Sequence, residues 1–222
     1  HRYIHCDVLV VGAGIAGILA AKNAAKNNLK TLLVDEKNEL GGATIYENRE
    51  FNKIDNQSSS DWIKKEINEL KNIDNLEVKT RTSVAAYHGY NYLLARENLT
   101  DHLEKKDKNN KVRQRLLKIR AKKVILATGA LERPLIFNNN DRPGIMLSSA
   151  VKKYADFYGV VSGKKNVFFT NNDSAYESAL CLHNKGIKVE AVIDIRESSN
   201  SKIVKAVENL GIKIHWSHTI VD

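Results

Sequence analysis

Three glycines, Gly12, Gly14 and Gly17, stand in the order G-x-G-x-x-G directly behind the apolar run VLVV at residues 8–11. Residues of this kind do no acid–base work; what they offer is bare backbone. The first permits a tight turn out of a strand, the second removes the Cβ that would block a pyrophosphate, and the third lets the next helix close on the strand. A helix opening at Ile15 and Ala16 would aim its free N–H groups and positive dipole end at the same point. The acid that completes such a site is expected at the end of the following strand, where it meets ribose hydroxyls. Asp35 stands there, with Glu36 as the alternative register and Lys37 behind it. An acid at that position repels a 2′-phosphate, which favours NAD or FAD over NADP.

Two further turns belong to the same chemistry. Gly41–Gly42 follows the acid closely, where the chain must pass near the phosphates, and Thr128–Gly129 ends a later strand of the same sheet. A lone G-x-G-x-x-G is a common pattern; the four features in this order specify a dinucleotide site. No His, Tyr or Lys stands out as a hydride-transfer partner, so the sequence nominates no catalytic residue, and no metal-ligand cluster is expected.

These residues must be positioned by an α/β framework. Residues 7–11 read as a buried parallel strand, 15–28 as an alanine-rich helix and 31–34 as a second strand, a βαβ unit with a right-handed crossover. A helix follows in DWIKKEINELKN, with capping-box spacing from Ser58 to Asp61. Residues 76–94 read as strands, with VAAYHGYNYLLA a hairpin bent at Gly89 and residues 104–111 an exposed hairpin tip. His88, Tyr90 and Tyr92 are read as hairpin packing. A strand over 118–128, a loop in FNNNDRPG and a helix over 148–158 come next. The opening pattern then recurs: strand 166–170, helix 174–185, strand 189–194, helix 202–210 and strand 212–216.

The expected architecture is therefore two Rossmann-like lobes of the two-dinucleotide flavoprotein kind with a small β-hairpin or meander insertion. The first lobe spans residues 1–137, a connecting segment 138–163 and a second lobe 164–222. In the second lobe Thr170, Asn171 and Asn172 replace the glycines, and Asp173 is placed to cap the helix. That lobe is expected to keep the fold without tight dinucleotide binding.

Bulk properties narrow the function classes. The net charge is +9, but the lysines are spread over helix faces and turns with no interleaved aromatics, which argues against a nucleic-acid platform. No apolar run approaches the roughly 20 residues that cross a bilayer, and no secretory leader is visible. The two cysteines, Cys6 and Cys181, are far apart and read as buried reduced thiols, in keeping with the cytoplasm and offering no dithiol for disulfide exchange. The chain opens on His1 and is read as a piece of a longer protein.

The segments CDVLVVGAGIAG, LLVDE followed by GG, VILATGALERPLIF, NDRPGIM and VFFTNNDSAYESALCLHNKGIKVEAVIDIR resemble the α subunits of heterotetrameric sarcosine oxidases, with ATGALERP and TNNDSAY the most distinctive. The resemblance covers nearly the whole chain. It implies an enzyme that converts sarcosine, O2 and water to glycine, formaldehyde or methylene-tetrahydrofolate, and hydrogen peroxide. It implies FAD on a β subunit, FMN between α and β, NAD in this chain, folate in a separate carboxy-terminal domain, and γ and δ subunits as further partners. By the same resemblance Gly12, Gly14 and Gly17 form the phosphate turn, Asp35 and Glu36 are the ribose acids, and Gly42, Thr128 and Gly129 line the site. Val84 offers backbone to adenine. Arg133 is read as a surface salt bridge before a phosphate or FMN contact. Two alternatives stay open: an FAD-binding subunit of a related amine, proline or opine dehydrogenase complex, and a non-catalytic scaffold with an empty cradle.

Overall fold

The computed structural model describes residues 1–46, 53–104, 107 and 111–221. Its contacts divide the chain into two units, His1–Ala130 and Leu131–Asp222.

In the first unit the elements run β1 (Arg2–Val11), α1 (Ile15–Lys26), β2 (Thr31–Val34), β3 (Lys53–Ile54), β4 (Gln57–Ser58), α2 (Ser59–Leu70), β5 (Leu76–Lys79), β6 (Thr82–His88), β7 (Tyr92–Asn98) and β8 (Gln114–Leu126). One sheet takes the order β5-β2-β1-β8-β7-β6. Its β5, β2, β1 and β8 are parallel, and β7 and β6 return antiparallel as the expected meander. Why VLVV is a continuous apolar run is now plain: alternate side chains enter different cores, because both faces are covered. Val8 and Val10 pack against Ile18, Ala21 and Ala25 of α1 and Ile63 of α2. Leu9, with Leu32 and Val34 of β2, packs against Leu93, Ala95, Leu117 and Ile119 of the meander. Leu9 and Val10 are both fully buried, each worth about 1.5–3 kcal/mol of apolar burial.

Small residues on α1 let it lie close to the sheet, and Lys22 ties it to Glu66 and Glu69 of α2. The α2 helix is capped as its sequence predicts, the Asp61 N–H donating to Ser58 Oγ at 3.2 Å. The hairpin tip between β6 and β7 differs from expectation. The left-handed residues are Tyr90 and Asn91, with φ of +58° and +52°, and not Gly89. Asn91 Nδ2 donates to the Lys122 carbonyl and Arg120 to the Tyr90 carbonyl, which holds the turn in place. His88 and Tyr92 pack as rings 5.8 Å apart, whereas Tyr90 is 93% exposed and makes no ring contact among the described residues. The tip expected over 104–111 lies largely outside the described residues.

In the second unit the elements are α3 (Ser148–Asp156), β9 (Lys165–Thr170), α4 (Ser174–Asn184), β10 (Lys188–Asp194), α5 (Lys202–Asn209) and β11 (Lys213–Trp216). They form a parallel sheet in the order β11-β10-β9. Residues 131–137, which the sequence reading assigned to the first lobe, belong here by contact. The Glu132 carboxylate accepts the Ser148 and Ser149 N–H groups at 3.1 and 2.8 Å, and the Phe137 and Phe169 rings meet edge to face. Among the described residues no helix is long and apolar enough to cross a membrane.

Candidate functional site

The predicted glycines do three different jobs. Gly12 has φ of +97°, and a Cβ there would stand 2.3 Å from the Ala127 carbonyl oxygen. A Cβ on Gly17 would stand 1.8 Å from the Gly12 carbonyl oxygen. Both positions are filled by the protein's own backbone. Gly14 differs, since a Cβ there meets nothing within 4 Å. Its φ of −75° is open to any L-residue, so neither packing nor backbone strain calls for glycine at this point.

Two other loops close on this turn. The Gly41 N–H donates to the Ala13 carbonyl at 2.7 Å, and a Cβ on Gly42 would approach Gly14 Cα to 3.0 Å. On the other side the Ala127 N–H donates to the Val11 carbonyl at 2.7 Å, which seats Thr128 and Gly129 beside Gly12. The long β8, shared between the parallel sheet and the meander, brings that turn to the carboxyl edge of β1. Gly12, Gly14, Gly17, Gly42, Thr128 and Gly129 are thus brought together at one edge of one sheet.

The amino end of α1 points its N–H groups here. No side chain accepts from its first turn, and no acidic residue lies in it. The other α-helices are served: α2 by Ser58, α3 by Glu132, α4 by Asn172, whose Oδ1 takes the Ser174 N–H at 2.9 Å, and α5 by Ser201. Among the described residues, α1 alone has no side-chain acceptor for any of its first-turn donors, at Ile15, Ala16 and Gly17. Uncapped N–H groups beside backbone without a Cβ make a place for a diphosphate.

Asp35 follows β2 and is half-buried. One carboxylate oxygen accepts the Ala13 N–H at 2.6 Å and the other the Lys37 N–H at 2.8 Å. The acid therefore braces the glycine turn, and each oxygen keeps a lone pair for a hydroxyl. Glu36 and Lys37 are exposed. Val84 lies on β6, an edge strand of the sheet, opposite Ala95 and just before an irregularity in the register. Its strand is laced to the acid through the Thr82 N–H, which donates to the Asp35 carbonyl at 2.8 Å. Sequence reasoning missed the bond from Ala13 to Asp35. Arg133 is exposed, and among the described residues it forms no ion pair.

The corresponding corner of the second unit is occupied by protein. Thr170 Oγ1 accepts the Asn172 N–H and donates to the Asn172 carbonyl, while Asn172 Oδ1 takes both the N–H and the hydroxyl of Ser174. Asn172, not Asp173, caps the helix: Asp173 has helical backbone angles that turn its side chain from the cap role, and it pairs instead with Arg196 at 2.8 Å. Asp194, at the end of β10, is fully buried. It accepts from the Tyr176 hydroxyl at 2.8 Å and from the Arg196 guanidinium at 2.7 Å. Burial pushes its carboxyl up, but the bonds from Arg196 and Tyr176 outweigh that and hold it below the usual carboxylate range.

The cysteines are buried, and burial pushes the Cys6 thiol to about 11 and the Cys181 thiol to about 12, far from the thiolate that disulfide exchange requires.

Comparison with known proteins agrees with this geometry. The chain is 40% identical over 222 residues to the sarcosine oxidase subunit alpha of Corynebacterium sp. (strain P-1), covering 100% of this chain and 22% of that protein. It is 36% identical over 197 residues to the protein of the same name from Rhizobium meliloti (strain 1021), covering 89% of this chain and 20% of that protein. It thus spans about a fifth of the length of the curated relatives it matches, in what the fold marks as their dinucleotide-binding portion. Among solved structures it resembles L-proline dehydrogenase from P. horikoshii, with a TM-score of 0.70 and 26% identity over 90% of this chain and 38% of that one. A family model described as pyridine nucleotide-disulphide oxidoreductase matches residues 6–222. Since that match runs through the open cradle and the closed one alike, the chain belongs to the pyridine nucleotide-disulphide oxidoreductase family.

Proposed function

We propose that the chain is the NAD-binding portion of the α subunit of a heterotetrameric sarcosine oxidase. One observation carries the reading: the space above Gly14, beside an uncapped helix end. The pyrophosphate lies there against Gly12, Gly14 and the N–H groups of Ile15, Ala16 and Gly17. Asp35 takes the ribose hydroxyls on its spare lone pairs, and the exposed Glu36 adds to the repulsion of a 2′-phosphate. The Val84 backbone meets adenine, Lys37 covers the outer side, and Gly42, Thr128 and Gly129 close the rim. Bound NAD supplies a nicotinamide able to accept hydride; this chain's residues hold and orient the dinucleotide, and none is assigned a catalytic role.

In the whole enzyme, FAD on the β subunit would supply the oxidising power for sarcosine, and FMN between α and β would supply the electron relay to O2. The products are glycine, hydrogen peroxide and formaldehyde, or methylene-tetrahydrofolate when folate is bound in a separate carboxy-terminal domain. The γ and δ subunits complete a cytoplasmic assembly that involves neither membrane nor nucleic acid. The names of the relatives and their 36–40% identity to this chain support this reading.

The likeness to L-proline dehydrogenase favours a second reading, FAD in the same cradle of a related amine, proline or opine dehydrogenase subunit. Releasing the cofactor from the purified full-length subunit and recording its spectrum separates the two. NAD without flavin supports the first reading, and a flavin absorption band overturns it. Absence of both, with no binding of either dinucleotide by calorimetry, leaves the scaffold reading.

A further inference from the structure

Arg81 occupies the turn between β5 and β6 with φ of +50°, a backbone conformation that glycine takes at lower cost. Its surroundings impose it. The Arg81 N–H donates to the Lys37 carbonyl at 2.8 Å, and its carbonyl accepts the Asn98 N–H at 2.9 Å. On either side of it, the Asp35 N–H donates to the Lys79 carbonyl at 2.9 Å and the Thr82 N–H to the Asp35 carbonyl at 2.8 Å. Arg81 is therefore fixed by main-chain bonds to the loop that carries the ribose acid. Its side chain makes no hydrogen bond or ion pair with the described residues, as is also true of Arg96, Arg133 and Arg142, whereas Arg2, Arg113, Arg115 and Arg196 find carboxylates; what sets Arg81 apart is its left-handed backbone beside Asp35. Asp35 does not take the guanidinium: its two oxygens each accept one backbone N–H, from Ala13 and from Lys37. A strained arginine left unpartnered beside a binding acid is a place to look for a ligand contact.

We propose that the Arg81 guanidinium is a binding group for the adenosine end of the dinucleotide, lying flat against the adenine ring. The proposal rests on the dinucleotide reading above. With the pyrophosphate at Gly14 and the ribose hydroxyls on Asp35, the base leaves the ribose at C1′, on the side away from the 5′-phosphate. We place the base against the rim formed by residues 35–37 and 81–84, which the Arg81 and Thr82 N–H groups join. A planar, weakly hydrated cation stacks on a purine where a lysine ammonium cannot. A 2′-phosphate is not the partner, because Asp35 and Glu36 already put carboxylates at that hydroxyl.

The test is calorimetric titration of the full-length protein with ADP-ribose, which contains the adenosine, and with nicotinamide mononucleotide, which lacks it. Arg81→Gly is expected to weaken ADP-ribose about tenfold and leave the mononucleotide unchanged. Its Tm is expected to hold or rise, since glycine relieves the left-handed strain. Arg81→Lys is expected to lose as much affinity as Arg81→Gly. Unchanged ADP-ribose affinity in Arg81→Gly, or full retention in Arg81→Lys, overturns the stacking role. Equal losses for both probes, or a lowered Tm with the loss, marks a structural role and overturns it too. Gly14→Val separates the two levels: if it abolishes ADP-ribose binding while Arg81→Gly does nothing, only the Arg81 proposal fails. If neither variant changes binding, the dinucleotide reading fails with it.

Discussion

The amino ends of α1 and α4 hold equivalent places in two βαβ units, and they treat their N–H groups in opposite ways. In the second unit Asn172 satisfies the first donor, and the strand-end acid Asp194 is sealed under Arg196 and Tyr176. In the first unit the equivalent acid, Asp35, is half-exposed, and nothing among the described residues caps α1. The backbone plan is shared; a few side chains decide whether the cleft binds itself or binds a ligand. Two of the three glycines in the open cleft are demanded by packing and would be needed with or without a ligand. Gly14 alone is unexplained by the protein's own contacts, and so it carries the functional argument.

The contrast can be broken first at the acids. Asp194→Ala leaves the Arg196 charge and the Tyr176 hydroxyl without their shared partner, and is expected to cost about 3–5 kcal/mol. Asp35→Ala gives up two backbone contacts at a half-exposed site, with an expected cost of about 1 kcal/mol. Urea denaturation of both variants measures the difference, and equal costs would erase the distinction between sealed and open acid. Next is Gly17→Ala, which drives a methyl into the Gly12 carbonyl and is expected to lose roughly 1–3 kcal/mol or more even without a ligand.

The sealed corner also sets a pH dependence. Burial raises the Asp173 and Asp194 carboxyls, yet their bonds with Arg196 prevail and leave both below their ordinary values. A depressed carboxyl gives stability that is fully present above the unfolded value, about 3.9, and is lost as pH falls through the folded one. Thermal melts are thus expected to hold steady on this account from neutrality to about pH 5 and to fall below about pH 4. Arg196→Met is expected to remove or reverse that acid limb; an unchanged limb would show that other carboxylates set it. An effect as small as that of Asp35→Ala is expected for Glu132→Ala, which uncaps α3 and costs about 1 kcal/mol by the same denaturation.

Legibility from the sequence followed the range of the interaction. Local signals succeeded: the apolar run of β1, the Ser58 cap and both βαβ units stand where periodicity puts them. The strand expected from residue 7 begins at Arg2 because residues 2–6 alternate in burial along β8, a weaker pattern than VLVV. Neighbouring polar residues misled the reading at α4. Asn172 and Asp173 both suit a cap, and only the pull of Arg196, far along the chain, decides between them. Gly89 was the natural hinge of its hairpin, yet side-chain bonds from Asn91 and Arg120 place the left-handed angles on Tyr90 and Asn91. At the cradle the glycine spacing was readable in full. The brace from Asp35 to the Ala13 N–H, 22 residues away, was not, because no local rule encodes it.

The measurement that bears most directly on the account is calorimetric titration of NAD into the full-length protein and into its Gly14→Val variant, with Tm recorded for both. Because a Cβ at Gly14 meets nothing and φ is ordinary, the variant is expected to melt with the wild type while binding NAD at least about a hundredfold more weakly, some 2.7 kcal/mol. A variant that binds NAD as the wild type does would contradict it, since the space above Gly14 would then hold no phosphate.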